Sequence, residues 1–190
     1  ADLLQAAGAS RIAAMDLHAA QIQGFFNIPI DNFRALPIIT RYFKEKNFTN
    51  DVVVVSPDHG GTARARQLAR PFNAPIAIID KRRPLPNVSE VMNVIGDVNN
   101  KIVIMIDDII DTAGSIVNAA KALYEKGAKE IYAACTHPIF THPANQKIED
   151  SVIKECVVTN TINLPPEKLT PKIVQLSVGA LFGQGIINII

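Results

Sequence analysis

Three short runs of this chain contain no polar residue: Val52-Val53-Val54-Val55, Ile76-Ala77-Ile78-Ile79 and Ile102-Val103-Ile104-Met105-Ile106. Strands apolar at successive positions have to be covered on both faces. Segments of helical length separate them. This alternation predicts an α/β fold, a mostly parallel sheet flanked by helices. Strands are expected over 11–16, 51–56, 75–80, 101–107, 130–136, 152–159 and 172–176. Helices are expected near 34–46, 62–71, 114–126 and 143–148, with another at the C-terminal end. In such sheets ligands gather at the carboxyl ends of the strands, so the residues that follow each strand carry the functional information.

The run ending at Ile106 stops on two adjacent carboxylates, Asp107 and Asp108. Asp111, Thr112, Gly114 and Ser115 follow, and then an apolar-periodic segment. The order describes a buried strand feeding a tight loop at the mouth of a helix. Free N–H groups and the dipole of that helix favour an anion in the loop. Thr112 and Ser115 add hydroxyl donors, and Gly114 permits close approach. The acidic pair is wrong for a phosphate but suits sugar hydroxyls or a hydrated divalent cation. A phosphate beside two sugar hydroxyls is a ribose phosphate. Taken alone, the acidic pair is equally compatible with an N-cap and a solvated loop.

Bulk properties bound the rest. The chain has 190 residues, enough for one well-buried domain with at most a short appendage. Hydrophobic residues make up 48%, which argues against disorder. The net charge of +1 gives no global field to recruit nucleic acid or an acidic membrane surface. No apolar run reaches the length of a membrane span. Cys135 and Cys156 lie in apolar runs without Cys-x-x-Cys spacing or a secretory signal, as expected of buried free thiols in a reducing cytoplasm. Neither has a base at readable spacing, so neither is expected to act as a nucleophile. The opening Ala1-Asp2-Leu3-Leu4 reads as the inside of a helix with no initiator Met, as in a piece of a longer chain.

Three more loaded segments follow strand ends. Ser56-Pro57-Asp58-His59-Gly60-Gly61 precedes a helix carrying Arg64 and Arg66. Its glycines could turn successive N–H groups toward a diphosphate, with Asp58 holding a metal ion or a hydroxyl; the plainer reading is an ordinary turn. Lys81-Arg82-Arg83-Pro84-Leu85-Pro86-Asn87 makes a stiff basic loop, either a solvated face or a source of charge to offset a transferring phosphoryl group. Asp16-Leu17-His18 permits joint coordination of a cation. Phe25 and Phe26 read as core, the alternative being stacking on a base, and Asp31 as a cap for the next helix. His137 and His142 read as loop residues, His137 with a contact to ligand in prospect.

Together, Met15–Phe26, Ser56–Gly61, Asp80–Asn93 and Ile106–Ser115 resemble the ribose-phosphate diphosphokinase (phosphoribosyl diphosphate synthetase) family, whose fold is of the type I phosphoribosyltransferase kind. The acidic loop is shared with many phosphoribosyltransferases; the histidine segment and the Lys-Arg-Arg-Pro loop are more specific. The resemblance implies Mg²⁺-dependent transfer of the diphosphoryl group of ATP to the anomeric hydroxyl of ribose 5-phosphate, giving phosphoribosyl diphosphate and AMP. By motif, Asp107, Asp108, Asp111, Thr112, Ala113, Gly114 and Ser115 would bind ribose 5-phosphate. Asp58, Gly60 and Gly61 would line the diphosphate region, and Lys81, Arg83 and His18 would be catalytic. Asp16, His18 and Asp58 would serve the metal. Asn27, where the family signature carries a carboxylate, and His59, where it carries a small residue, depart from the pattern, while Ser115 in place of Thr keeps the hydroxyl.

The resemblance further implies that residues 1–190 form the catalytic domain, with short remnants of a preceding domain and a C-terminal helix, most of the N-terminal domain being absent. Members of the family are cytoplasmic homo-oligomers, commonly hexamers. Two alternatives stand beside this reading: a phosphoribosyltransferase that consumes phosphoribosyl diphosphate, and a non-catalytic synthetase-associated subunit.

Overall fold

In the computed structural model, residues 1–48, 51–82 and 91–189 are described, with 81, 82 and 91 described by their backbone alone. The order along the chain is α1 (Asp2–Ala6), β1 (Ile12–Met15), β2 (Ile30–Phe33), α2 (Leu36–Glu45), β3 (Val52–Ser56), α3 (Thr62–Ala69) and β4 (Ile76–Arg82). There follow β5 (Val91–Ile95), β6 (Ile102–Ile110), α4 (Gly114–Glu125), β7 (Glu130–Pro138), α5 (Ala144–Glu149), β8 (Glu155–Thr159), β9 (Ile173–Leu176) and α6 (Gly179–Ile187). Seven strands form one sheet in the order β5-β4-β3-β6-β7-β8-β9, with β5 alone antiparallel to its neighbour. The expected sheet is therefore present. β1 and β2 pair in parallel as a separate small sheet.

The apolar runs are buried on both faces because alternate side chains feed two cores. Val53, Val55, Val103 and Met105 pack with Ile116, Ala119, Ala120 and Leu123 of α4 on one side. Val54, Ile104 and Ile106 pack with Ile39 and Phe43 of α2 and with Ala65 and Leu68 of α3 on the other. The buried positions of α4 recur at intervals of three and four, the spacing of one helix face. α2 is also tied down at its C-terminal end, where the Tyr42 hydroxyl donates to Glu155 Oε1 (2.7 Å) and Lys46 Nζ to Oε2 (2.9 Å).

Several details differ from the sequence reading. Asp31 caps no helix: it lies in β2 and its carboxylate takes two bonds from Arg11, at 2.7 and 3.2 Å. β5 was not anticipated, and β8 begins at Glu155, after Val152. Phe25 is 72% exposed and Phe26 half-buried, so neither is core. Most important, β6 does not end at Asp107, where the expected strand does. It continues through Asp107 and Asp108 to Ile110, held by β7 along Asp107↔Cys135, Ile109↔His137 and Ile110↔Pro138. Pairing with β3 has already ended at Val55↔Met105, so this extension has a strand partner on one edge only and can carry charged side chains.

β3 and β6 are neighbours, but the chain leaves β3 toward β4 and β5 on one side and resumes from β6 toward β9 on the other. The carboxyl ends of these two strands therefore flank a topological switch point, where the connections diverge and leave a crevice.

Candidate functional site

The crevice is built from the two segments the sequence singled out. The loop after β3 contributes Asp58, and the end of β6 with the following turn contributes Asp107 and Ile109 through Ile116. They line a cleft of about 240 Å³. At its floor Ala113 precedes α4 with φ 59° and ψ 0°, a left-handed conformation that costs a non-glycine residue roughly 1–2 kcal/mol. No side chain caps α4, so its first N–H groups open toward the cleft, beside Thr112 and Ser115. Asp111 lies at the rim, where the Thr141 hydroxyl donates to its Oδ1, and Lys147 Nζ donates to the Thr112 carbonyl at 3.2 Å. An uncapped helix mouth bordered by acceptors suits a molecule with an anionic end and hydroxyls.

Asp107 and Asp108 work as a unit. The Asp108 N–H donates to Asp107 Oδ1 at 2.8 Å, and Arg64 Nη1 lies 3.4 Å from an oxygen of each. His18 Nδ1 meets Asp108 Oδ2 at 2.6 Å. Burial, then hydrogen bonding and repulsion from Asp108, raises Asp107 to about 7. Burial would raise Asp108 as well, but hydrogen bonds from Asp107 and His18 and the Arg64 charge bring it down to about 2. The pair retains one proton through mildly acidic pH and gives it up around neutrality.

The sign of the resulting stability effect follows. An unfolded Asp107 releases its proton near 3.8, the folded one near 7, so the stabilisation is complete below the lower value and lost as pH rises through the upper. Asp108 acts oppositely, contributing above 3.8 and losing its contribution only as pH falls toward 2. Because the two share a proton and Asp107 remains 30% exposed, the loss between pH 5 and 8 should be about 1–2 kcal/mol. Melting temperatures should fall over that range in the native chain and stay flat in Asp107→Asn. Parallel curves would contradict the assignment.

The cation set expected from the sequence does not assemble. Asp16, at the end of β1 with φ 42°, is buried. Its carboxylate accepts from the Ala35 N–H (2.9 Å), the Thr136 hydroxyl (2.8 Å) and Arg34 Nη1 (3.4 Å). It anchors the start of α2 to β7 and leaves His18 to pair with Asp108. Asp58 accepts from the Gly61 N–H at 2.8 Å, closing the turn that leads into α3. Among the described residues no three His, Cys, Asp or Glu side chains converge on a metal position.

The glycine nest does not form either. Neither Gly60 nor Gly61 takes a positive φ, and the Gly61 N–H is already used by Asp58. Gly61 is needed for closeness instead, since a Cβ there would sit 2.7 Å from Ser56 Oγ. Lys81 lies on β4 opposite Met92; its side chain and all of Arg83 lie outside the described residues. His137 pins β1 to the sheet through Thr161 Oγ1 (3.0 Å) and the Met15 carbonyl (3.1 Å) rather than facing the cleft. Both cysteines are buried; burial raises the Cys135 thiol, and burial with nearby Glu155 pushes Cys156 up to about 12, so neither is a thiolate.

Arg64 was noted in the sequence only as a helix residue. The available signal was its place in the first turn of α3, where the helix dipole disfavours a cation. Thr141 gave no signal at all, because its relation to Asp111 depends on how β7 ends.

Comparison with known proteins gives the family. The chain is 58% identical over 189 residues to a ribose-phosphate pyrophosphokinase of Oceanobacillus iheyensis and 59% identical to one of Bacillus subtilis. Each match takes in 100% of this chain and 59% of the relative, so the chain spans about three-fifths of the length of these proteins. A crystal structure of phosphoribosylpyrophosphate synthetase from Mycobacterium smegmatis superposes with a TM-score of 0.93 at 40% identity, over 100% of this chain and 61% of that one. The family described as "Phosphoribosyl synthetase-associated domain" matches residues 56–190, from the last residue of β3 through the whole acidic cleft, and the chain belongs to that family.

Proposed function

We propose that this chain carries the ribose-phosphate half of a ribose-phosphate diphosphokinase, which transfers the diphosphoryl group of ATP to the anomeric hydroxyl of ribose 5-phosphate. The observation that supports it most directly is that Asp107, bonded to the neighbouring Asp108, shares one cleft with an uncapped helix N-terminus. The 5-phosphate would sit on the first N–H groups of α4 with the Thr112 and Ser115 hydroxyls. Asp107 and Asp108 would accept from the ring hydroxyls, with Asp111 at the rim. This leaves the anomeric carbon toward the Asp58 loop, the side from which a diphosphate would approach.

The described residues form no cage of their own for Mg²⁺, so the ion would arrive with the nucleotide, its shell mostly phosphate oxygens and water with a carboxylate near His18 as the protein's share. When bound it would neutralise phosphate charge. Lys81, near the end of β4, and Arg83 would stabilise charge on the transferring group. A cytoplasmic setting is consistent with two buried free thiols, and no helix among the described residues is long and apolar enough to cross a membrane. ATP, ribose 5-phosphate and further copies of the chain are the partners this reading assigns.

Calorimetric titration of ribose 5-phosphate tests it. The native chain should bind, and Asp107→Asn/Asp108→Asn should lose at least about tenfold in affinity, the cost of one or two charge-assisted hydrogen bonds. Equal binding by the double variant, with its fold intact by circular dichroism, would place the sugar elsewhere.

A further inference from the structure

Adjacent residues of a strand point to opposite faces, so two carboxylates at consecutive positions do not ordinarily serve one ligand. At the end of β6 they are brought together. Asp107 folds back over the backbone so that its Oδ1 takes the Asp108 N–H at 2.8 Å, and Arg64 Nη1 sits 3.4 Å from Oδ1 of both acids. The guanidinium is largely withdrawn from solvent, with its side chain 21% exposed. Its base is rigid: Ala65, Leu68 and Ala69 fix α3 in the core, and Asp58 holds the Gly61 N–H at the start of the helix. An arginine in a helix's first turn, without an acidic residue in that turn, opposes the dipole and contributes nothing to the helix. Its contacts lie on the acidic pair instead.

We infer that Arg64 is a positioning residue that fixes the spacing of the Asp107 and Asp108 carboxylates for a vicinal diol, and so determines preference for ribose over 2-deoxyribose phosphates. The inference rests on the ribose-phosphate reading above. A cis-diol needs two acceptors held at one separation; a single remaining hydroxyl needs only one. With Arg64 in place both acceptors are preset, and the sugar with two hydroxyls gains a second charge-assisted bond. Without it no common contact holds the two acids at one separation, and the diol loses its advantage while the single hydroxyl still finds a partner. The phosphate contacts at α4 are untouched by the change, because Arg64 is not among the residues of that cleft.

The test is calorimetric titration of the full chain with ribose 5-phosphate and, separately, 2-deoxyribose 5-phosphate. Native protein, Arg64→Met and Arg64→Lys are compared, with circular dichroism as the folding control. The native chain should prefer the ribose compound by at least tenfold. In Arg64→Met, which keeps the apolar stem, ribose 5-phosphate should weaken at least tenfold and the deoxy compound less than threefold, so the preference collapses. Arg64→Lys keeps the charge without the planar fork and should lose at least threefold of the preference, which decides the matter if Arg64→Met does not fold. A preference unchanged in folded variants, or equal weakening of both sugars, overturns the inference and leaves the ribose-phosphate reading intact. Failure of the folded native chain to bind either compound overturns both.

Discussion

Replacing Asp16 by alanine is expected to destabilise the fold by about 3–5 kcal/mol, because it strands two buried donors and an arginine at once. The Ala35 N–H and the Thr136 hydroxyl lose their acceptor, and Arg34 loses its counter-charge. Alanine also tolerates the left-handed backbone at this position (φ 42°) less well than aspartate, whose short polar side chain is one of the few suited to it. Asp16→Asn keeps the shape but has one acceptor oxygen, and should cost about half as much. Urea unfolding midpoints check both values. The same pair of variants decides what Asp16 is for. A cation ligand would reveal itself by weakened Mg²⁺ binding in a variant of native stability; the anchor described here predicts lost stability in both.

Phe43→Ala should cost a similar 3–5 kcal/mol, the range for removing a fully buried aromatic ring whose site cannot collapse. Phe43 has no solvent exposure and packs against Tyr42, Phe48 and Tyr132 with ring centroids 5.7, 6.4 and 6.0 Å away. It sits toward the C-terminal end of α2, whose N-terminal end Asp16 holds. Ribose 5-phosphate binding, measured well below the melting temperature, should therefore stay within about threefold of native while the urea midpoint falls. A binding loss as large as that of the double Asp variant would mean that α2 shapes the cleft directly.

The sequence exposes the parts of this fold that depend on apolar patterning and hides those that depend on pairing. Val52–Val55 and Ile102–Ile106 are legible because a doubly covered strand leaves little room for polar residues. β2 is not, since Asp31 reads as a helix cap when nothing shows Arg11 across the ladder. The cleft is legible for the same reason as the strands: a strand end followed by small residues and a helix has few other uses. The direction each carboxylate takes is not. Asp16 and Asp58 stand just beyond strand ends and Asp108 within the last residues of β6, yet one turns inward to α2, one back toward α3 and one toward His18. Those choices are made by neighbours 3 to 120 residues away.

The extension of β6 beyond its pairing with β3 bears on when the ordering cost of the site is met. Asp107 and Ile109 are registered against Cys135 and His137 as members of the β6–β7 ladder. Had the two acids stood on an irregular loop, holding their backbone still would have cost about 1–2 kcal/mol per residue at the moment of association. On the ladder that ordering is completed during folding. Two residues' worth corresponds to roughly 30- to 1000-fold in affinity, gained without any additional contact to the sugar. It also makes the β6–β7 edge a remote control on the cleft, where loosening the strand pair would release the acids to wander and weaken a ligand that touches neither Cys135 nor His137.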